Sequence, residues 1–233
     1  MHDHSSCGHS HAPKDFGKAF AIGATLNTAY VVAEVVYGLS AHSVALVADA
    51  GHNFGDVLGL LIAWGAAVAV KARPTATHTY GLRKTSVLAA LFNAVVLLAT
   101  TGAIMYESVR RLSEPGHVHG NVVVWVALAG IVVNGGTALM FMTGRHDDLN
   151  IRAAFLHMAA DAAIVLGVAI SGGIIVLTGW TLLDPIVSLL VCLTILWSTW
   201  SLLRDSVNMA LDAVPSGIRL QDVRAFLASL PGV

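Results

Sequence analysis

Five ionisable side chains stand in apolar sequence at spacings that could hold a cation. In ADAGHNFGD (48–56), Asp49, His52 and Asp56 are three and four positions apart. On a helix those offsets set all three on one face. The segment AAFLHMAAD repeats the His-x-x-x-Asp spacing 105 residues later, with His157 and Asp161. Ionisable groups within a membrane segment are costly and by default mark an ion pathway. Two His-Asp pairs supply four nitrogen and oxygen ligands, the number a tetrahedral zinc ion takes. Imidazole nitrogen favours zinc over magnesium or calcium, which prefer all-oxygen cages; cobalt and cadmium fit the same donor set.

The charges near these pairs have one sign. Glu34, Asp49, Asp56, Asp161 and Asp184 fall inside or at the ends of apolar stretches, and no Lys or Arg sits near mid-depth. Carboxylates without a basic partner call for a cation or for protons, which excludes an anionic substrate there.

The elements that must position them read as membrane helices. The chain is 56% hydrophobic and 12% charged with mean hydropathy +0.73, whereas soluble domains carry about 25% charged residues. Apolar spans at 16–39, 44–70, 85–108, 119–143, 151–178 and 181–203 each reach the roughly 20 residues needed to cross a bilayer. An even number places both termini on one side. With the N-terminus inside, eleven Lys and Arg fall in cytoplasmic segments and only Arg110 and Arg111 outside, so both ends are expected in the cytoplasm of a cell with this protein in its inner membrane. Helices 2 and 5 then run in opposite directions and bring both pairs near mid-depth, the arrangement of an inverted-repeat transporter.

The flanks differ. Residues 1–14 carry His2, His4, His9, His11 and Cys7 in polar sequence, either a weak metal-collecting tail or a spacer. Residues 15–206 form the transport domain. Residues 207–233 turn polar, and Leu220, Val223, Phe226 and Leu227 mark one amphipathic helix, the expected start of an incomplete cytoplasmic domain. Near-neutral charge and no nucleic-acid motif argue against a nucleic-acid partner, and the two cysteines build no disulfide framework. There is neither a His-Glu-x-x-His protease motif nor a phosphate loop, so no enzyme activity is expected.

Other polar residues have plainer readings. Asp49 could be a fifth ligand, a residue that orients a ligand, or a packing residue, with the last two preferred. Glu34 reads as a water-exposed carboxylate near the outer end of helix 1, and Asp184, before Pro185, as the N-cap of helix 6. Asn27, Asn93 and Asn134 read as interhelical hydrogen-bonding amides, with cavity lining as the minority view. His117 and His119 read as unliganded loop residues. His78, in the loop after helix 2, could join a cytoplasmic metal site; Asp147 and Asp148, with His146, lie at the inner mouth and could attract cations, with a solvated loop the preferred reading.

Taken together these segments resemble the cation diffusion facilitator family of zinc exporters over nearly the whole chain. The resemblance is carried by SVALVADAGHNFGD, YGLRKTSVLAALFNAVVLL, LNIRAAFLHMAAD, DPIVSLLVCLTILW and LDAVPSGI, in that order. It implies an all-α polytopic membrane protein of six transmembrane helices, followed by a ferredoxin-like cytoplasmic domain of which only the first helix is present. It further implies that His52, Asp56, His157 and Asp161 form the transport site, that zinc leaves in exchange for protons, and that the protein works as a homodimer. His at position 52 is similar to zinc-selective rather than cadmium-tolerant members. Lys84 and Ser86 depart from the Arg-x-Glu common at the start of helix 3. A membrane zinc-binding sensor that moves no metal is the alternative, and a passive channel a lesser one.

Overall fold

The computed structural model describes residues 17–70, 84–143, 145, 149–214 and 217–230. The His-rich tail, His78, His146, Asp147 and Asp148 lie outside the described residues. Among the described residues seven helices follow one another: α1 (Gly17–Ser40), α2 (Val44–Val70), α3 (Thr85–Ser113), α4 (Gly120–Phe141), α5 (Leu149–Thr178), α6 (Leu183–Ala210) and α7 (Leu220–Ala228). No strand occurs among the described residues. Among the described residues, five stretches are long and apolar enough to cross a membrane: Ala21–Ser40, Thr85–Ser113, Gly120–Phe141, Ile151–Thr178 and Leu183–Ala210. The remaining expected span, 44–70, coincides with the 27-residue α2.

Polarity is inverted relative to a soluble protein. Trp125, Val132, Leu177 and Trp197 are exposed, while Glu34, Asp49, Asn53, Asn134, Asp161 and Asp184 are buried. Lipid is the solvent in which an apolar exterior carries no cost, and polar groups then gather inside the bundle. Helix α1 shows how a nearly uniform apolar sequence still acquires faces. Gly23, Asn27, Tyr30, Val31, Glu34 and Gly38 are buried at offsets of three and four, and the residues between them are mostly exposed.

Helices α4 and α5 form the closest pair, α3 packs on α6, and α2 lies among α1, α3 and α6 with a short contact to α5. Glycines permit the α4–α5 approach: a Cβ on Gly120 would fall 2.9 Å from the Gly172 carbonyl oxygen. One apolar cluster joins Ala45 and Leu46 of α2 to Val123, Ala127, Val165 and Val168. A second joins Ala48 to Leu97, Val191, Cys192 and Ile195. The first half of α2 is therefore held from both sides.

The connections between α1 and α2, α3 and α4, and α5 and α6 meet at one end. His119 N–H donates to Ala41 O (3.0 Å), and Asp184 reaches the start of α2. At the other end Lys84 Nζ pairs with Asp212 Oδ2 at 2.8 Å, an exposed contact from the start of α3 to the residues after α6. Successive helices thus alternate in direction, and α2 and α5 are antiparallel.

Asp184 does not cap its own helix. It is the second residue of α6, whose N-cap, Leu182, makes no side-chain cap, and its carboxylate instead caps α2. The carboxylate accepts from the Ser43 hydroxyl, from Val44 N–H (2.7 Å) and from Ala45 N–H (3.4 Å), while Ser43 Oγ accepts from Leu46 N–H (3.2 Å). The first N–H groups of any helix have no intrahelical partner, and burial here removes water as the alternative acceptor. Asp184→Ala would strand these donors, and we expect a loss of about 2–4 kcal/mol. Fluorescence-monitored unfolding in detergent checks this, with Asp184→Asn, which keeps one acceptor, losing less.

Glu34 is likewise placed differently from its expected exposed position. It is fully buried, its carboxylate accepting from Tyr30 Oη (2.9 Å) and Asn53 Nδ2 (3.4 Å). Position 34 continues the stripe that α1 turns toward its neighbours, so proximity to the helix end does not bring it to water. The amides also depart in part from interhelical bonding: neither side-chain amide atom of buried Asn134 has a hydrogen-bond partner.

Candidate metal centre

Helix α2 carries His52 eight residues from its start at Val44, and α5 carries His157 eight residues from its start at Leu149. Each imidazole is therefore about 12 Å into its helix, from opposite ends of the bundle. The i,i+4 spacing puts Asp56 one turn beyond His52 and Asp161 one turn beyond His157, each on the face of its histidine. Where α2 meets α5 the two faces oppose one another.

The four side chains interlock across that contact. His52 Nε2 lies 3.8 Å from Asp56 Oδ2 and 3.5 Å from Asp161 Oδ1. His157 Nε2 lies 3.2 Å from Asp56 Oδ2 and 3.6 Å from Asp161 Oδ2. Each carboxylate thus faces both imidazoles, one from its own helix and one from the other. The two rings stand 6.2 Å apart and nearly perpendicular, at 80°. Ligands at 2.0–2.1 Å around a tetrahedral ion stand about 3.3 Å from one another. The four nitrogen–oxygen separations scatter about that value. One ligand atom each from Asp56, His157 and Asp161 already falls within 4.8 Å of the others.

Access is one-sided. The side chains of His157 and Asp56 are 44% and 27% exposed, those of His52 and Asp161 13% and 2%. His157 and Asp56 border a cavity of about 490 Å³ that Asn27, Thr137 and Phe141 also line. Its walls are the first halves of α1 and α5, the second half of α2 and the end of α4, so it lies toward the Lys84–Asp212 end. Asn27 therefore fulfils the minority reading, cavity lining. Toward the other end, Leu46, Asp49 and Asn53 are fully buried.

Asp49 stands outside the four-residue cluster. Its carboxyl lies within hydrogen-bonding reach of that of Glu34, and neither of its oxygens has any other hydrogen-bond partner. Buried Nδ1 of His52 also has none. Reading the sequence left Glu34 and Tyr30 out of this neighbourhood. The signal that could have found them is the stripe at 23, 27, 30, 31, 34 and 38, which assigns Glu34 to the packed face of α1.

Comparison with known proteins bears on what this arrangement serves. The cation efflux transmembrane domain family matches residues 20–209. The chain is 37% identical to the zinc transporter ZitB of Escherichia coli over 227 residues, covering 96% of this chain and 71% of that protein. It is 34% identical to the metal cation efflux system protein CzcD of Cupriavidus metallidurans over 228 residues, covering 97% and 72%. A cadmium, cobalt and zinc/H(+)-K(+) antiporter of Bacillus subtilis is 28% identical over 228 residues, covering 97% and 73%.

Proposed function

The chain belongs to the cation efflux family, the cation diffusion facilitators, and from that premise we propose that it expels zinc from the cytoplasm in exchange for protons through His52, Asp56, His157 and Asp161. The observation that carries this reading is the convergence of two imidazoles and two carboxylates from antiparallel helices at separations close to those of a tetrahedral ligand set. Two carboxylates neutralise a divalent ion, and two imidazoles supply the nitrogen that harder ions do not require. Cadmium and cobalt, named for the Bacillus subtilis relative, fit the same donors.

The helices form a six-span bundle with both termini in the cytoplasm, on the count of eleven basic residues against two. The Lys84–Asp212 end is then the inner end, and the cavity bordering His157 and Asp56 is an inward-open access route. Buried packing around Leu46, Asp49 and Asn53 closes the opposite side. Alternating access requires that closure to move from one end to the other while the ligands stay with α2 and α5. A homodimer, as the family resemblance implies, is the assembly in which this operates.

The proton exchange follows from ligand chemistry. Neutral imidazole binds zinc and imidazolium does not, so an entering ion displaces any protons on His52 and His157. Protons entering from outside then reset the emptied site. Proteoliposomes loaded with a zinc indicator and given a pH gradient test the reading. Saturable zinc flux that collapses with the gradient is expected. Flux indifferent to the gradient would make the protein a channel, and stoichiometric binding with no flux would make it a sensor.

A further inference from the structure

Three histidines meet where the α1–α2 and α3–α4 connections touch, remote from the four-residue cluster. The His42 and His119 ring centroids are 6.3 Å apart, and those of His117 and His119 are 6.1 Å apart. All three are exposed, yet the backbone beneath them is fixed. Ala41 and Val118 are buried in the apolar cluster that joins α2, α4 and α5. His119 N–H donates to Ala41 O at 3.0 Å, and Arg111 Nη1 donates to His42 O at 2.5 Å. In the non-helical HVH segment, Val118 points inward, which turns its two neighbours outward together. His42 holds a left-handed backbone conformation, φ +54°, uncommon for a residue other than glycine.

We propose that His42, His117 and His119 form a second metal site, for zinc or another borderline divalent ion. Three imidazoles and an open fourth position are an established zinc ligand set. With zinc–nitrogen bonds of 2.0–2.1 Å, tetrahedral imidazoles place their ring centroids about 5 Å apart. The His42–His119 and His117–His119 separations exceed that by about 1 Å, and His42 and His117 line one cavity, so rotation of these exposed side chains is needed to bring the three nitrogens onto one ion. The neighbouring charge does not repel a cation. Arg110 and Arg111 both pair with Glu107, at 2.9 and 2.8 Å, and Glu114 lines the adjoining cavity, so two basic and two acidic groups balance. Glu114 or water is the candidate fourth ligand. The site goes beyond the transport reading and does not depend on it. If the chain exports zinc, the site lies on the release side.

Cobalt binding to the full chain tests the proposal. Asp161→Ala with His52→Ala and His157→Ala removes the first cluster, and alanine at His2, His4, His9 and His11 with serine at Cys7 removes the other candidate donors in the tail. This background should still bind cobalt with the visible absorption of a four-coordinate ion, and zinc should displace it. Adding His119→Ala should weaken that binding by about 100-fold or more, since even the partners of metal ligands are worth 10–100-fold. His117→Ala, a change at an exposed loop position that spares the His119–Ala41 contact, should do the same. Absence of the absorption from the background protein, or its persistence in both variants, overturns the proposal. Because the background cannot use the first cluster, failure here leaves the transport reading untouched, and the reverse also holds.

Discussion

Replacing Asp161 with alanine is expected to reduce zinc flux to that of protein-free vesicles, a fall of at least about 100-fold. Asp161 is the most buried of the four side chains and the only one whose two oxygens approach different imidazoles, His52 at 3.5 Å and His157 at 3.6 Å. Its loss removes one of two charges that balance a divalent ion and one donor from each of two close pairs. The remaining His52, Asp56 and His157 would hold an ion with one net positive charge in low dielectric, which is costly. Asp161→Asn keeps the volume and one oxygen but not the charge, and should be nearly as inactive if neutralisation dominates. Ser198→Ala is the matched control, because its hydroxyl donates only to Ile195 O within its own helix (3.0 Å). Equal flux from Asp161→Ala and the parent chain would remove Asp161 from the transport path.

Much of this site was legible in the sequence because the two requirements on it are local. A helix fixes the relation between residues four apart, so His52 with Asp56 and His157 with Asp161 share faces whatever the rest of the chain does. Apolar surroundings make any ionisable group there informative. Span limits were legible for the same reason: the expected 151–178 and 181–203 fall within two residues of the starts of α5 and α6.

What escaped depended on which helix stands opposite. Glu34 looked terminal and hence wet, but α1 turns it toward Tyr30 and Asn53. Asp184 preceding Pro185 looked like the cap of α6, and the donors that it satisfies belong to α2, 140 positions away in sequence for Val44. His42 carries no motif, and only the closure of two loops brings it to His119. At the start of α3, Lys84 pairs with Asp212, a residue 128 positions away that follows α6. One-dimensional spacing encodes none of these pairings. Each is decided by tertiary packing among helices whose surfaces are nearly uniform in hydropathy.

Zinc affinity should fall steeply as pH is lowered from about 7.5 to about 5.5, by up to about 100-fold per pH unit where both histidines hold protons in the metal-free site. The sign follows from the ligand chemistry. The metal-free site binds protons on His52 and His157, whereas the zinc-bound site requires both imidazoles neutral, so raising pH favours the metal. Each proton displaced contributes a factor of about ten per pH unit, and two such factors multiply. Calorimetry in buffers of different ionisation enthalpy counts the same protons directly. The number released per zinc should fall from two toward none as pH rises through the range in which the two imidazoles lose their protons. His52→Asp removes one imidazole, so it should lower the release near pH 6 by about one proton and roughly halve the logarithmic pH dependence. If zinc binds equally well at both pH values and releases no proton near pH 6, the two histidines are not exchanging protons for metal. The coupling would then have to reside in carboxyl groups such as Glu34 and Asp49, which lie beside one another just beyond the four-residue cluster.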